Sequence, residues 1–241
     1  MQTNPLWQSV KSLLDIEMNP VSHAERLASI GGGFTSILLI MLVSSQFVGA
    51  TDAALIVASM GASAVLLFAV PHGLLSQPWP VFGGHMVSAL VGVSCAQWVA
   101  EPFVAAALAV GLAIGAMHYL RCIHPPGGAT ALTAVVGGAG IHELGYGFVV
   151  MPVLLNVLVI LLVAVAFNYP LVWRRYPAAL QRKQTPPKQD EAPSEGYPSI
   201  SHSDFVYALS EIDSFIDITE QDLVRIYELA TRRKVHPQKP G

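Results

Sequence analysis

Residues 147–170 read GFVVMPVLLNVLVILLVAVAFNYP, 24 residues without a charged side chain. An α-helix needs about 20 apolar residues to cross the hydrocarbon core of a bilayer, so this stretch predicts a transmembrane helix. The apolar character continues toward the N-terminus. Between Ala28 and Val172 the charged side chains are Asp52, Glu101, Arg121 and Glu143 alone. Residues 28–172 therefore predict a membrane domain.

The composition of the whole chain agrees with a membrane protein. Of its 241 residues 53% are hydrophobic and 12% are charged, whereas soluble domains carry about 25% charged residues. The net charge of −3 argues against a nucleic-acid partner. Residues 1–27 are polar, and they lack the apolar core and small-residue cleavage site of a signal peptide. We expect them to form a cytoplasmic N-terminal segment.

Apolar runs predict an all-α, polytopic membrane helix bundle of about six segments. The segments are 28–48, 52–70, 85–101, 103–120, 127–140 and 147–170. The fifth has only 14 residues, which reach about 21 Å at 1.5 Å per residue. It is either a short span or a half-helix covered by its neighbours.

Basic residues predict the orientation of the bundle. The sixth segment is followed by Arg174, Arg175, Arg182, Lys183 and Lys188, with no acidic residue in 173–189. Positive charge marks the cytoplasmic side of membrane helices. Six crossings would then place both termini in the cytoplasm.

A short internal repeat links the two halves of the membrane domain. Gly61-Ala62-Ser63-Ala64, in the second segment, matches Gly128-Ala129-Thr130-Ala131, in the fifth. Two inverted three-helix repeats are typical of secondary transporters, which bind substrates near the midplane where the repeats meet. We expect Ser63 to face Thr130 there, with a half-helix beginning at each repeat. The alternative is that these small residues serve only close helix packing.

Residues 121–130, RCIHPPGGAT, are the most unusual stretch. The two prolines cannot continue the fourth helix, but Pro126 suits the first turn of a new one. Gly127 and Gly128 would leave backbone N–H groups uncovered, and a helix N-terminus with free donors attracts anions. The alternative is a tight interhelical turn with glycines for packing.

A small-anion site follows from these features, with His124 expected to titrate near neutral pH and couple uptake to protons. The predicted substrate-binding residues are Gly61, Ala62, Ser63, His85, His124, Gly127, Gly128, Ala129 and Thr130. The predicted supporting residues are Pro125, Pro126, Arg121, His118 and Asn156. Interhelical hydrogen bonding is the alternative role for the polar members. Histidine spacing favours no metal site, no cofactor motif is present, and no catalytic motif predicts an enzyme.

Ordered motifs in this domain resemble the HPP family of integral membrane proteins. They are the run Gly61–Pro71, Gln77-Pro78, Gly83-Gly84-His85 and the run His124–Leu132, within about residues 25–172. Family descriptions often count four spans, so the six segments depart from them. Members in plastids and cyanobacteria are linked to nitrite transport. The resemblance thus implies a transporter or channel for a small anion, with nitrite first, here in the bacterial cytoplasmic (inner) membrane.

The chain beyond residue 172 is predicted to hold a linker and a small helical tail. Residues 173–198 are basic and proline-rich, which is typical of a flexible linker. Residues 199–241 predict a hairpin of two short amphipathic helices. Such a hairpin needs a docking surface, either the membrane domain or another subunit of a homo-oligomer. The alternative function is a non-transporting membrane scaffold or sensor whose C-terminal helices recruit a partner.

Overall fold

The computed structural model describes residues 22–171, 174–181 and 223, and their regular structure is entirely helical. The predicted C-terminal hairpin lies outside the described residues, except for Leu223. The helices are α1 His23–Ser44, α2 Ala50–Ala69, α3 Pro78–Trp98, α4 Pro102–Tyr119, α5 Pro125–Val136, α6 Ala139–Leu144, α7 Leu155–Asn168 and α8 Ala178–Gln181. A 3₁₀ turn, Leu74–Ser76, precedes α3, and a π-helical segment, Val149–Leu154, leads into α7.

Within the described ranges, five helices are long and apolar enough to cross a membrane: α1, α2, α3, α4 and the continuous stretch Val149–Asn168. The prediction of six spans is corrected at the fifth segment. There the chain forms α5, with 12 residues, and α6, with 6. At 1.5 Å per residue α5 is about 18 Å long. It is the half-helix alternative, because α2, α3 and α4 all pack against it.

Contacts between helix ends show which parts of the chain lie together at each end of the bundle. The proximal end holds His23 and Asn168, since Glu25 Oε1 lies 3.2 Å from the Arg174 guanidinium that follows α7. The distal end holds the start of α2 and the end of α5, since Gly138 N donates to Asp52 Oδ1 at 2.9 Å. The two ends of the described bundle therefore lie on the same side.

Local sequence explains where several helices begin. Proline occupies the first turn of α3, α4 and α5, where its missing N–H costs nothing and its φ is already helical. Glu101 caps α4 by accepting from Val104 N at 2.9 Å. Asp52 binds the backbone where α6 begins. Asp52 and Glu101 thus have structural partners at the distal end.

Helices α3 and α5 approach until their backbones almost touch. A Cβ atom placed at Gly92 would lie 2.5 Å from Ala131 O, and one at Gly127 would lie 2.8 Å from Gly84 O. Membrane helices associate through such small residues because lipid supplies no hydrophobic drive between them. Gly127 therefore serves packing, which was the alternative role expected for it.

Arg174 fastens the chain after α7 to the proximal end. Its side chain is 1% exposed, which is unusual for an arginine. The guanidinium donates to Phe68 O at 2.6 Å, closing the C-terminus of α2, and to Asn168 Oδ1 at 3.0 Å. Burial lowers the pKa of this guanidinium, and the neighbouring Glu25 carboxylate raises it. Tyr176 continues the attachment by donating to Ser76 O at 2.8 Å.

Truncation should reveal where the membrane domain ends. A chain ending at Gln181 keeps Arg174 and Tyr176, so we expect it to remain monodisperse in mild detergent with an unchanged melting temperature. A chain ending at Leu171 loses both contacts, and breaking a buried ion pair costs about 3–5 kcal/mol. We expect that shorter chain to aggregate on heating well below the longer one, measured by size-exclusion chromatography after a temperature series. Aggregation of the longer chain would show that residues beyond 181 belong to the fold.

Candidate functional site

Four polar side chains meet where α2, α3 and α5 converge. Ser63 comes from α2, His85 from α3, His124 from the residue before α5, and Thr130 from α5 itself. Three are fully buried, and Thr130 is 1% exposed. We call these four residues the polar cluster. Such groups are expensive to bury in a membrane protein unless they bind each other or a substrate.

The hydrogen bonds of the polar cluster form one continuous chain. Ser63 Oγ lies 2.8 Å from His85 Nε2 and 2.8 Å from His124 Nε2. His85 Nδ1 lies 2.7 Å from Thr130 Oγ1, and His124 Nδ1 lies 2.8 Å from Leu75 O. The two imidazole rings are edge-on, with centroids 4.9 Å apart. Ser63 and Thr130 thus occupy opposite nitrogens of His85 and are joined through its ring.

With both rings neutral, the Leu75 carbonyl determines which atom donates in each hydrogen bond of the polar cluster. Leu75 O only accepts, so His124 Nδ1 carries the hydrogen, and Nε2 of the neutral ring accepts from Ser63. Ser63 Oγ then accepts from His85 Nε2–H, which leaves His85 Nδ1 to accept from the Thr130 hydroxyl. Two neutral histidines with defined tautomers therefore satisfy the whole chain.

Local sequence places His124 against the other helices. A residue before proline is kept out of the helical region, and His124 has φ −142° and ψ 100°. Gly84 makes room for it, since a Cβ there would lie only 2.6 Å from His124 Cβ. The Gly83-Gly84 pair therefore leaves space for the chain that leads into α5. A larger residue at either position would collide with that chain.

The polar cluster lies nearer the proximal end than the predicted midplane site. His85 is seven residues after Pro78, at the start of α3, which is about 10 Å along the axis. The full helix has 21 residues, or about 31 Å. The cluster is thus about a third of the way through the bundle.

The predicted pair of half-helices is wrong at Gly61. Helix α2 continues from Ala50 to Ala69, so no helix N-terminus forms at Gly61 or Ser63. At α5 three of the first four residues offer no free backbone donor. Pro125 and Pro126 have no N–H group, and Gly127 N donates to His124 O at 2.8 Å.

Several predicted site residues are not among the four hydrogen-bonded side chains of the polar cluster. Ala62, Ala129, His118 and Arg121 are exposed, as is Pro125, whereas Pro126 is buried. Gly61 and Gly128 are half-buried, and a Cβ at Gly61 would meet no atom within 4 Å. Asn156 is buried between α1 and α7, where its Nδ2 donates to Ser44 Oγ at 2.7 Å.

Sequence reasoning did not find the Leu75 carbonyl, which sets the tautomer of His124. A backbone acceptor leaves no signal in the residue type, so only the path of the connection between α2 and α3 reveals it. Two histidines are too few for a protein metal site. In the described ranges no group of three His, Cys, Asp or Glu side chains has the spacing to hold an ion.

Long apolar helices around an enclosed polar cluster define a polytopic integral membrane protein. The family described as "HPP, transmembrane region" matches residues 18–177, and the chain belongs to this family. Two transmembrane proteins of Dictyostelium discoideum are similar to it. One is 38% identical over 151 residues, covering 58% of this chain and 53% of that protein. The other is 39% identical over 148 residues, covering 60% and 47%. The chain spans about half the length of these relatives. No solved structure gives a significant match.

A matched pair of glycine substitutions should show which glycine is required for close helix packing. Gly84→Ala brings a methyl group against His124, so we expect a loss of about 1–3 kcal/mol in stability. Gly61→Ala adds a methyl group in open space inside a helix, so we expect no loss and a gain of up to about 1 kcal/mol. Thermal unfolding of both variants in the same detergent measures the difference. Equal melting temperatures would contradict the close approach at Gly84.

Proposed function

We propose that this protein is a transporter or channel for a small anion and that the polar cluster is its substrate site. The observation that carries the proposal is the enclosure of Ser63, His85, His124 and Thr130 at a junction of three helices. Polar side chains held inside a membrane bundle commonly mark a substrate pathway. The alternative role, helix packing, requires only one or two such bonds at an interface.

The chemistry of the polar cluster favours an anion over a cation. Its side chains are hydroxyls and imidazoles, which can donate hydrogen bonds, and the four include no carboxylate. The cluster also lies at the N-terminal end of α5, where the helix dipole favours negative charge by about 0.3–1 kcal/mol. A site of weak donors also lets the ion leave again.

We also propose the membrane, the orientation of the bundle and the substrate. Basic residues after α7 support a cytoplasmic proximal end, with both termini inside a bacterial inner membrane. Arg121 is exposed beyond the end of α4, where its charge would attract anions to the cytoplasmic mouth. Nitrite is the first substrate to test, because the family resemblance implies it. The two short repeats, in α2 and α5, both contribute a hydroxyl to the cluster.

Flux measurements with purified protein in liposomes test this function. We expect uptake of at least one of nitrite, formate, nitrate and chloride to exceed that of protein-free vesicles. Ser94→Ala is the matched control, because Ser94 is half-buried on α3 and contacts Leu90 O and Tyr146, not the polar cluster. It should transport like the unmodified chain. A folded protein that moves none of these ions would favour the scaffold or sensor that recruits a partner through its C-terminal tail.

A further inference from the structure

In the neutral polar cluster, no hydrogen-bond donor is free to bind a ligand. Each of its four contacts uses one hydrogen: the Thr130 hydroxyl, His85 Nε2–H, the Ser63 hydroxyl and His124 Nδ1–H. An anion entering this state would find every donor occupied. Something must therefore change in the cluster before an anion can bind.

One added proton changes the cluster at either of two places. On His85 Nδ1, the new N–H donates to Thr130 Oγ1 and releases the Thr130 hydroxyl. On His124 Nε2, the new N–H donates to Ser63 Oγ and releases the Ser63 hydroxyl. The released hydroxyls have only weak alternatives inside their own helices, Pro126 O and Ser59 O, each at 3.4 Å. Each protonated state thus has one positive charge and one free donor.

No neighbouring charge compensates that proton. Among the described acidic residues, Glu25 pairs with Arg174, Asp52 binds Gly138, Glu101 caps α4, and Glu143 is exposed on α6. The titratable groups beside the cluster are the two imidazoles themselves, Cys122 next to Gly83, and His72 on the connection that supplies Leu75. Because the rings are in contact, they hold one proton between them far more readily than two. The charged cluster is therefore stable only with an anion beside it.

We infer that the protein binds one proton and one monovalent anion together, so that transport is an electroneutral symport. This inference rests on the proposed function. The proton comes from the water on the side from which the anion enters, resides on the histidine pair, and leaves with the anion on the other side. The chemical class of substrate is a monovalent anion small enough to sit between α2 and α5, and an oxygen of nitrite or formate can accept from the released hydroxyl.

A proton gradient at zero membrane potential tests the coupling. Proteoliposomes with potassium and valinomycin clamp the potential, and a trapped dye reports internal pH during nitrite or formate uptake. We expect an inward gradient of one pH unit to raise the initial rate several-fold above protein-free vesicles. We expect one proton to enter per anion, with accumulation approaching about tenfold, since a tenfold gradient corresponds to 1.4 kcal/mol. A change in potential alone should leave the rate unaltered.

His85→Gln and His124→Gln should each lose the response to the proton gradient, while Ser94→Ala should keep it. Anion flux that follows the membrane potential and moves no protons would overturn the symport while leaving the proposed function intact. Absence of all flux would instead overturn the proposed function. The measurement on the unmodified protein decides between these outcomes even if a histidine variant fails to fold.

Discussion

Replacement of Ser63 by alanine should abolish anion flux and destabilise the bundle. The Ser63 hydroxyl bridges the two imidazoles, with 2.8 Å to each Nε2. Without it a buried N–H of His85 and a buried acceptor of His124 both lose their partners. An unsatisfied buried group costs about 1–3 kcal/mol, so we expect a loss of about 2 kcal/mol or more. Thermal unfolding and liposome flux measure the two effects.

Ser59→Ala is the matched control for this substitution. Ser59 lies one helical turn earlier on the same buried side of α2, and its hydroxyl donates only to Ile56 O of its own helix, at 2.9 Å. We expect less than about 1 kcal/mol of destabilisation and normal flux. If the two alanine variants behave alike, the bridge between the histidines has no special role. If Ser63→Ala unfolds but retains flux in its folded fraction, the polar cluster is structural and not the substrate site.

Arg174→Met should have the largest effect on stability. Methionine fills similar space but leaves Asn168 Oδ1 and the Glu25 carboxylate without their cationic donor at the proximal end. Removal of one member of a buried ion pair costs about 3–5 kcal/mol. We expect a fall in melting temperature of several degrees, measured in detergent by dye fluorescence or by size-exclusion chromatography after heating.

Arg175→Met gives the comparison at the next position. Arg175 is half-buried and lies over the Tyr169 ring at 5.6 Å, an interaction of about 0.5–1 kcal/mol at exposed sites. The loss at Arg174 should therefore be several times larger. The loss of stability in Arg174→Lys should lie between the losses in the two methionine variants. Lysine keeps the charge but not the planar set of donors that reaches three elements. Equal effects at both positions would mean that Arg174 acts only through its charge near the membrane surface.

The helical membrane architecture was predictable because the bilayer constrains sequence directly. A charged side chain is unfavourable inside the hydrocarbon core. The membrane domain could therefore be located from the scarcity of charge, since only four charged residues lie between Ala28 and Val172. The same logic located five of the six apolar segments to within about five residues, whereas α3 begins at Pro78, seven residues before the predicted start of the third. For the fifth segment it left a short span and a half-helix open, and the 12 residues of α5 fit the half-helix.

The break predicted at Gly61 failed for a related reason. Glycine weakens helices in water, but inside a membrane an interrupted helix leaves backbone groups unsatisfied. Helix α2 therefore continues through Gly61. A new helix begins instead at prolines 125 and 126, where the missing N–H groups make a helix start inexpensive.

Sequence alone thus determined the class of protein, the positions of its helices and the residue types of the polar cluster. The tertiary structure decided how these residues connect. Four residues between 63 and 130 meet because α3 and α5 pack closely at glycines. That contact depends on the shapes of both helix surfaces together, which the sequence of one helix does not show. A backbone carbonyl at Leu75 then sets the tautomers of the whole chain of hydrogen bonds. Only the fold reveals that partner, because every residue carries the same carbonyl group.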